Sequence, residues 1–169
     1  MKIILMGQQV FGKSVLEKFH TETDHEVVAV YCTPDKVSEP IDPVKEYAQS
    51  VSLPVFQPSN FKDQEVLDQI KSHGADLCVM AYVVIFIPEG VRDIPTHGSI
   101  CFHPSLLPLH RGPSSINWPI IRGSTKIGLS IFYPNNGLDK GEILLQKEVD
   151  IGPDDTLGDF FFKKIFPLG

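Results

Sequence analysis

His103 closes a short apolar run, Gly98-Ser99-Ile100-Cys101-Phe102, that reads as a β-strand. It opens a loop stiffened by two prolines, Pro104-Ser105-Leu106-Leu107-Pro108, which continues into Leu109-His110-Arg111-Gly112. An imidazole at a strand end can take or give a proton near neutral pH, provided a second group fixes its orientation. Asp139 is the candidate for that second group. It lies in a glycine-rich loop, Asn135-Asn136-Gly137-Leu138-Asp139-Lys140-Gly141, after another strand-like run, Leu129–Tyr133. Two strand ends lying side by side in a parallel sheet would bring base and carboxylate together. Taken singly, each residue has a plainer reading. An Asp in such a loop forms turns through its side-chain oxygen, and a His after a strand is often structural.

Three neighbours extend the chemistry. Cys101 points to the same side of the strand as His103, because side chains alternate. A thiol beside an imidazole can act as a nucleophile, although residues two apart on one strand lack the freedom to form the required hydrogen bond. Arg111 can clamp a carboxylate or phosphate, or simply form a surface ion pair. Leu106 and Leu107 are expected to anchor the loop in the core.

The elements that must carry these residues alternate. Strand patterns occupy Lys2–Met6, Glu26–Cys32, Val55-Phe56, Asp76–Tyr82, Ile100–His103 and Gly128–Tyr133. Helix patterns occupy Gly12–His20, Pro43–Ser50 and Asp63–Ser72, and Thr156–Ile165 follows near the end. Glu142–Val149 reads as a strand that pairs back after the Asp139 loop. This β-α rhythm predicts a Rossmann-like α/β fold, a mostly parallel twisted sheet with helices on both faces. With 169 residues, one domain with a sizeable core is expected. Four phenylalanines at 160, 161, 162 and 166 need a partner surface, on the sheet or on a further piece of chain.

Composition narrows the function classes. Net charge is -6 and no Lys/Arg block occurs, which disfavours a broad nucleic-acid footprint. No apolar stretch is long enough to span a bilayer. Three scattered cysteines without C-x-x-C spacing indicate neither a zinc site nor a disulfide framework, and a reducing cytoplasm is the simplest compartment.

Gly7-Gln8-Gln9-Val10-Phe11-Gly12-Lys13-Ser14 matches the phosphate-loop pattern G-x-x-x-x-G-K-[ST] between a strand and a helix. That leaves a nucleotide-binding module as an alternative. Against it, no later strand ends in a clear magnesium-holding Asp, and Val10-Phe11 look like core anchors. The dinucleotide fingerprint is absent.

The His103–Pro108 segment with Leu138-Asp139-Lys140-Gly141 downstream resembles the folate-dependent formyltransferase family. That family includes methionyl-tRNA, glycinamide ribonucleotide and sugar N-formyltransferases. The chain is most similar to its branch formed by the amino-terminal hydrolase domain of 10-formyltetrahydrofolate dehydrogenase. Met6-Gly7-Gln8, Thr33–Lys36, Phe86-Ile87-Pro88, His97–Ile100 and Ser115–Trp118 extend the likeness over nearly the whole chain.

The resemblance implies formyl transfer from 10-formyltetrahydrofolate to an amine or to water, without a metal. His103 would stabilise the oxyanion or shuttle protons, and Asp139 would orient it. Tyr82, Val83, Val84, Ile85 and Phe86 would line the folate site together with Pro134, Asn135, Asn136, Gly137 and Leu138. Ser105, Leu106, Arg111 and Gly112 would form the loop next to the acceptor. Cys101 departs from the pattern, standing where most transferases have an asparagine whose amide polarises the formyl oxygen. This leaves room for a non-catalytic folate-binding module. The acceptor is unknown, with tRNA one candidate, and the family's layout implies a further C-terminal domain beyond Gly169.

Overall fold

The computed structural model describes all residues from Met1 to Gly169. The chain divides into two compact units, Met1–Ile100 and Cys101–Gly169. In the first, β1 (Lys2–Gly7), β2 (Glu26–Tyr31), β3 (Val55–Phe56) and β4 (Leu77–Ala81) lie in the order β3-β2-β1-β4. Every pairing among them is parallel. Helices α1 (Gln9–Glu22), α2 (Pro43–Ser50), α3 (Gln64–Ser72) and the short α4 (Glu89–Arg92) connect them or follow them. A parallel pair needs a crossover, and the helical periodicity between the apolar runs supplies it.

The core of this unit forms where α1 and α2 pack on the strands. Leu5, Leu16, Val27, Val30, Val44 and Ala48 are buried together, with Val15, Phe19 and Tyr47 against them. Two glycines permit the close approach. A Cβ on Gly7 would stand 2.6 Å from the Ala81 carbonyl oxygen, and one on Gly12 would stand 2.8 Å from Val44 Cγ2.

This packing removes the phosphate-loop reading. Gln9 already begins α1, and the Gly12 N–H donates to the Gln8 carbonyl at 3.1 Å. Residues 9 to 14 are helix, so no open loop is left to wrap a phosphate. The first helical N–H, at Gln9, is taken by the carboxylate of Asp42, at 3.0 Å from each oxygen. Asp42 Oδ1 also accepts from Val44 N–H at 2.8 Å and caps α2, with Pro43 in the first turn.

Strand β5 (Ser99–His103) begins in the first unit; in the second, its residues Cys101 to His103 pair antiparallel with β6 (Lys126–Phe132), and β6 pairs antiparallel with β7 (Ile143–Asp150). Helix α5 (Asn117–Ile121) lies between β5 and β6. Pairing of β7 back onto β6 agrees with the reading of Glu142–Val149. The direction of β6 corrects the expected route to the site. His103 lies opposite Ser130, and the end of β6 at Phe132 lies opposite Cys101. The ends of β5 and β6 therefore do not lie side by side, and the 133–142 loop has to fold back to reach His103.

At the end, Thr156 caps α6 (Leu157–Phe160) by accepting from Asp159 N–H at 3.1 Å. The chain then widens into a π-turn over Phe161–Ile165, where an uninterrupted α-helix was expected. Phe160 and Ile165 are fully buried, whereas Phe162 is exposed. No helix of the chain is long and apolar enough to cross a membrane.

Candidate active site

His103 and Asp139 meet. Nδ1 of His103 faces Oδ2 of Asp139 at 3.5 Å, a charge-pair distance slightly beyond a hydrogen bond. Nε2 of the same ring lies 2.9 Å from the backbone oxygen of His110. A carbonyl can only accept, so Nε2 carries a hydrogen and Nδ1 is the nitrogen left to exchange one. The His103 side chain is 8% exposed and that of Asp139 19%, so the carboxylate is the more open member of the pair.

The loops around them lock the arrangement. Gly112 donates its N–H to Asp139 Oδ2 at 2.6 Å, and Arg111 donates Nε–H to the Asp139 carbonyl at 3.1 Å. Asn135 Oδ1 accepts from Gly137 N–H at 2.8 Å, and Asn135 N–H donates to the Lys140 carbonyl at 3.2 Å, which tightens the loop tip. Asp139 itself takes the left-handed backbone region, at φ +43. Such strain concentrates at sites where surrounding bonds over-determine the geometry.

Ser105 and Leu106 are placed within the loop structure. Ser105 is fully buried and donates its hydroxyl to the Leu109 carbonyl at 2.7 Å. Leu106 covers Gly128, where its Cγ would lie 2.9 Å from an added Cβ. Leu107 is buried, as expected for an anchor. Cys101 is half-buried, and its thiol donates weakly to the Phe102 carbonyl at 3.6 Å.

Sequence reasoning did not single out the His110 carbonyl, because a backbone oxygen has no residue-type signature. Ser130 and Gln146, which support the loop, were also missed. Ser130 was detectable as a polar residue inside the apolar run Ile127–Phe132.

In the first unit, Tyr82–Phe86 is a loop at the carboxyl end of β4. Tyr82, Val84, Ile85 and Phe86 are exposed, and Tyr82 has φ +62. These side chains are not core packing. Parallel sheets bind ligands beyond the carboxyl ends of their strands. A cleft of about 370 Å³ also opens in this unit, lined by Gln8, Gln9, Thr33, Pro34, Asp42 and Val84.

A family model described as formyl transferase matches residues 1–163. The chain belongs to the formyl transferase family. Cytosolic 10-formyltetrahydrofolate dehydrogenase from Mus musculus is 42% identical over all of this chain and 19% of its own length. The chain thus spans about a fifth of that relative. Methionyl-tRNA formyltransferase from Alkaliphilus oremlandii (strain OhILAs) is 40% identical over 94% of this chain and 53% of its own. Among solved structures, phosphoribosylglycinamide formyltransferase from Bacillus halodurans superposes with a TM-score of 0.82 at 21% identity. That match covers 96% of this chain and 87% of the other, and it shows that the fold is the formyltransferase fold.

Proposed function

We propose that this chain is an enzyme that transfers the formyl group of 10-formyltetrahydrofolate to an amine, or to water, giving tetrahydrofolate and formate. The observation that carries the reading is the His103–Asp139 pair, with Nε2 tied to a carbonyl and Nδ1 facing a carboxylate. The nucleophile adds to the formyl carbon and the carbonyl electrons move onto oxygen. His103 takes the nucleophile's proton at Nδ1, and Asp139 orients the nucleophile and balances the charge on the ring. When the C–N bond to folate breaks, the nitrogen leaves with a proton and the formyl oxygen recovers its double bond.

Tyr82–Phe86 and Pro134–Leu138 are proposed as folate contacts. The first is supported by its exposed apolar side chains, which suit a flat heterocycle. Arg111 and Gly112 are assigned to holding Asp139, on the bonds described. The names of the relatives support a formyltetrahydrofolate donor, and they leave the acceptor open between a small molecule and a tRNA. The cytoplasm is the proposed compartment.

The test is incubation with 10-formyltetrahydrofolate, with and without candidate amines, following the folate product by absorbance. His103→Ala and Asp139→Ala are each expected to lower the rate by about 10² to 10⁴. An Asp139→Ala protein with a full rate would remove Asp139 from the mechanism. Cys101 supports a second reading, a folate-binding module without turnover, because a thiol is a poor donor to an oxyanion. Release of free formate by the wild-type chain would exclude it.

A further inference from the structure

Leu107 sits in the middle of the loop that follows His103, and side chains from two other strands hold both of its backbone groups. Its N–H donates to Ser130 Oγ at 3.1 Å, and its carbonyl accepts from Gln146 Nε2 at 2.8 Å. The same amide nitrogen donates to Ser130 Oγ at 2.9 Å, and Ser130 donates to the Ser105 carbonyl at 2.6 Å. A hydroxyl offers one donor and two acceptor positions, and an amide nitrogen offers two donors. All five are in use. The Leu107 oxygen can only accept, which fixes the orientation of the Gln146 amide.

The loop pinned in this way leads directly to the catalytic ring. Ser105 closes it by its hydroxyl bond to the Leu109 carbonyl, and the next residue, His110, supplies the oxygen that holds His103 Nε2. Gln146 lies on β7, a strand open to solvent along nearly its whole length, yet it turns its amide inward to this network. Gln146 pairs with Ser130 across the β6–β7 ladder, so its bond to Ser130 also serves the sheet, whereas its bond to the Leu107 carbonyl reaches beyond the ladder to the loop.

We propose that Gln146, acting through Leu107 and Ser130, is a positioning residue for the reaction. It holds the His110 carbonyl where that oxygen keeps the hydrogen on Nε2, and so directs proton exchange to Nδ1 beside Asp139. The kinetic part rests on the formyl-transfer reading above, and the tautomer part does not.

The test uses the full chain labelled with ¹⁵N-histidine, with imidazole correlation spectra recorded across pH. The His103 resonance is identified by its loss in His103→Ala. In the wild type the neutral ring is expected as a single tautomer, with its hydrogen on Nε2. In Gln146→Glu a carboxylate can donate to neither acceptor. Mixed tautomers are then expected, with kcat down about 10- to 100-fold and KM for 10-formyltetrahydrofolate within about twofold. If circular dichroism shows Gln146→Glu unfolded, Ser130→Ala breaks the same network and is read identically. A retained single tautomer overturns the proposal, as does an unchanged kcat beside an altered tautomer. If the wild-type chain turns over no folate, the formyl-transfer reading fails, and the tautomer comparison alone decides the positioning role.

Discussion

Gly112 donates its backbone N–H to Oδ2 of Asp139 at 2.6 Å, the same oxygen that faces Nδ1 of His103 at 3.5 Å. One backbone group thus sets the position of the carboxylate. Gly112 has φ +83, and an added Cβ would meet Leu138 Cδ2 at 3.3 Å. Gly112→Ala is expected to cost about 1–2 kcal/mol, seen as a lower urea midpoint. It should also lower turnover, because the donor to Asp139 moves. A variant with a normal urea midpoint and normal turnover would show that the left-handed glycine is dispensable.

Cys101 shares a strand face with His103 and is only half-buried. An asparagine there would offer the amide donor that a thiol lacks. Cys101→Asn is expected to raise the deformylation rate, by up to about 10²-fold if oxyanion stabilisation limits it. Initial rates at saturating folate check this. No gain would mean that residue 101 does not address the formyl oxygen.

Asp42 binds the first N–H of α1 and caps α2 with one carboxylate. Asp42→Ala should cost about 1–2 kcal/mol of stability by thermal or urea unfolding. Millimolar magnesium-ATP should leave the wild-type melting temperature unchanged, because the amide end of α1 is already occupied. A nucleotide-induced rise would restore the phosphate-loop reading of Gly7–Ser14.

His73 accepts or shares a hydrogen with the buried Tyr31 hydroxyl at 2.9 Å, and burial pushes its pKa below the ordinary value of 6.5. The neutral ring is the form that the fold favours. The unfolded chain therefore binds the proton first as pH falls. This group's contribution should be complete above about pH 6.5 and diminish as pH drops through that value toward the folded pKa. Urea midpoints between pH 8 and pH 5 test the slope, and His73→Phe should flatten it.

The parallel half of the fold was legible because apolar runs such as Glu26–Tyr31 and Leu77–Ala81 alternate with amphipathic stretches. Strand direction in the second half was not. Leu129–Tyr133 has the same apolar content whichever way it runs, so the strand itself was legible, whereas the parallel direction expected for it is antiparallel in the structure. The short helices Glu89–Arg92 and Asn117–Ile121 were missed because four or five residues show no period, and Pro119 interrupts the second. At the site, His103 and Asp139 stood out by residue type. The Gly112 N–H and the His110 carbonyl did not, since any residue carries such groups and only the folded loops bring them there.

His110 seats the His103 ring through its backbone oxygen while adopting φ +53, a region that side chains other than glycine enter at a cost. Its own imidazole is not needed for that bond. Glycine at this position would relieve the strain, a net gain of up to about 1 kcal/mol after the added freedom of the unfolded chain. The same substitution would let the oxygen wander. Heat tolerance and catalytic accuracy are thus opposed at a single peptide unit, and a search for hardier variants of this domain that screens only melting point would drift toward slower ones.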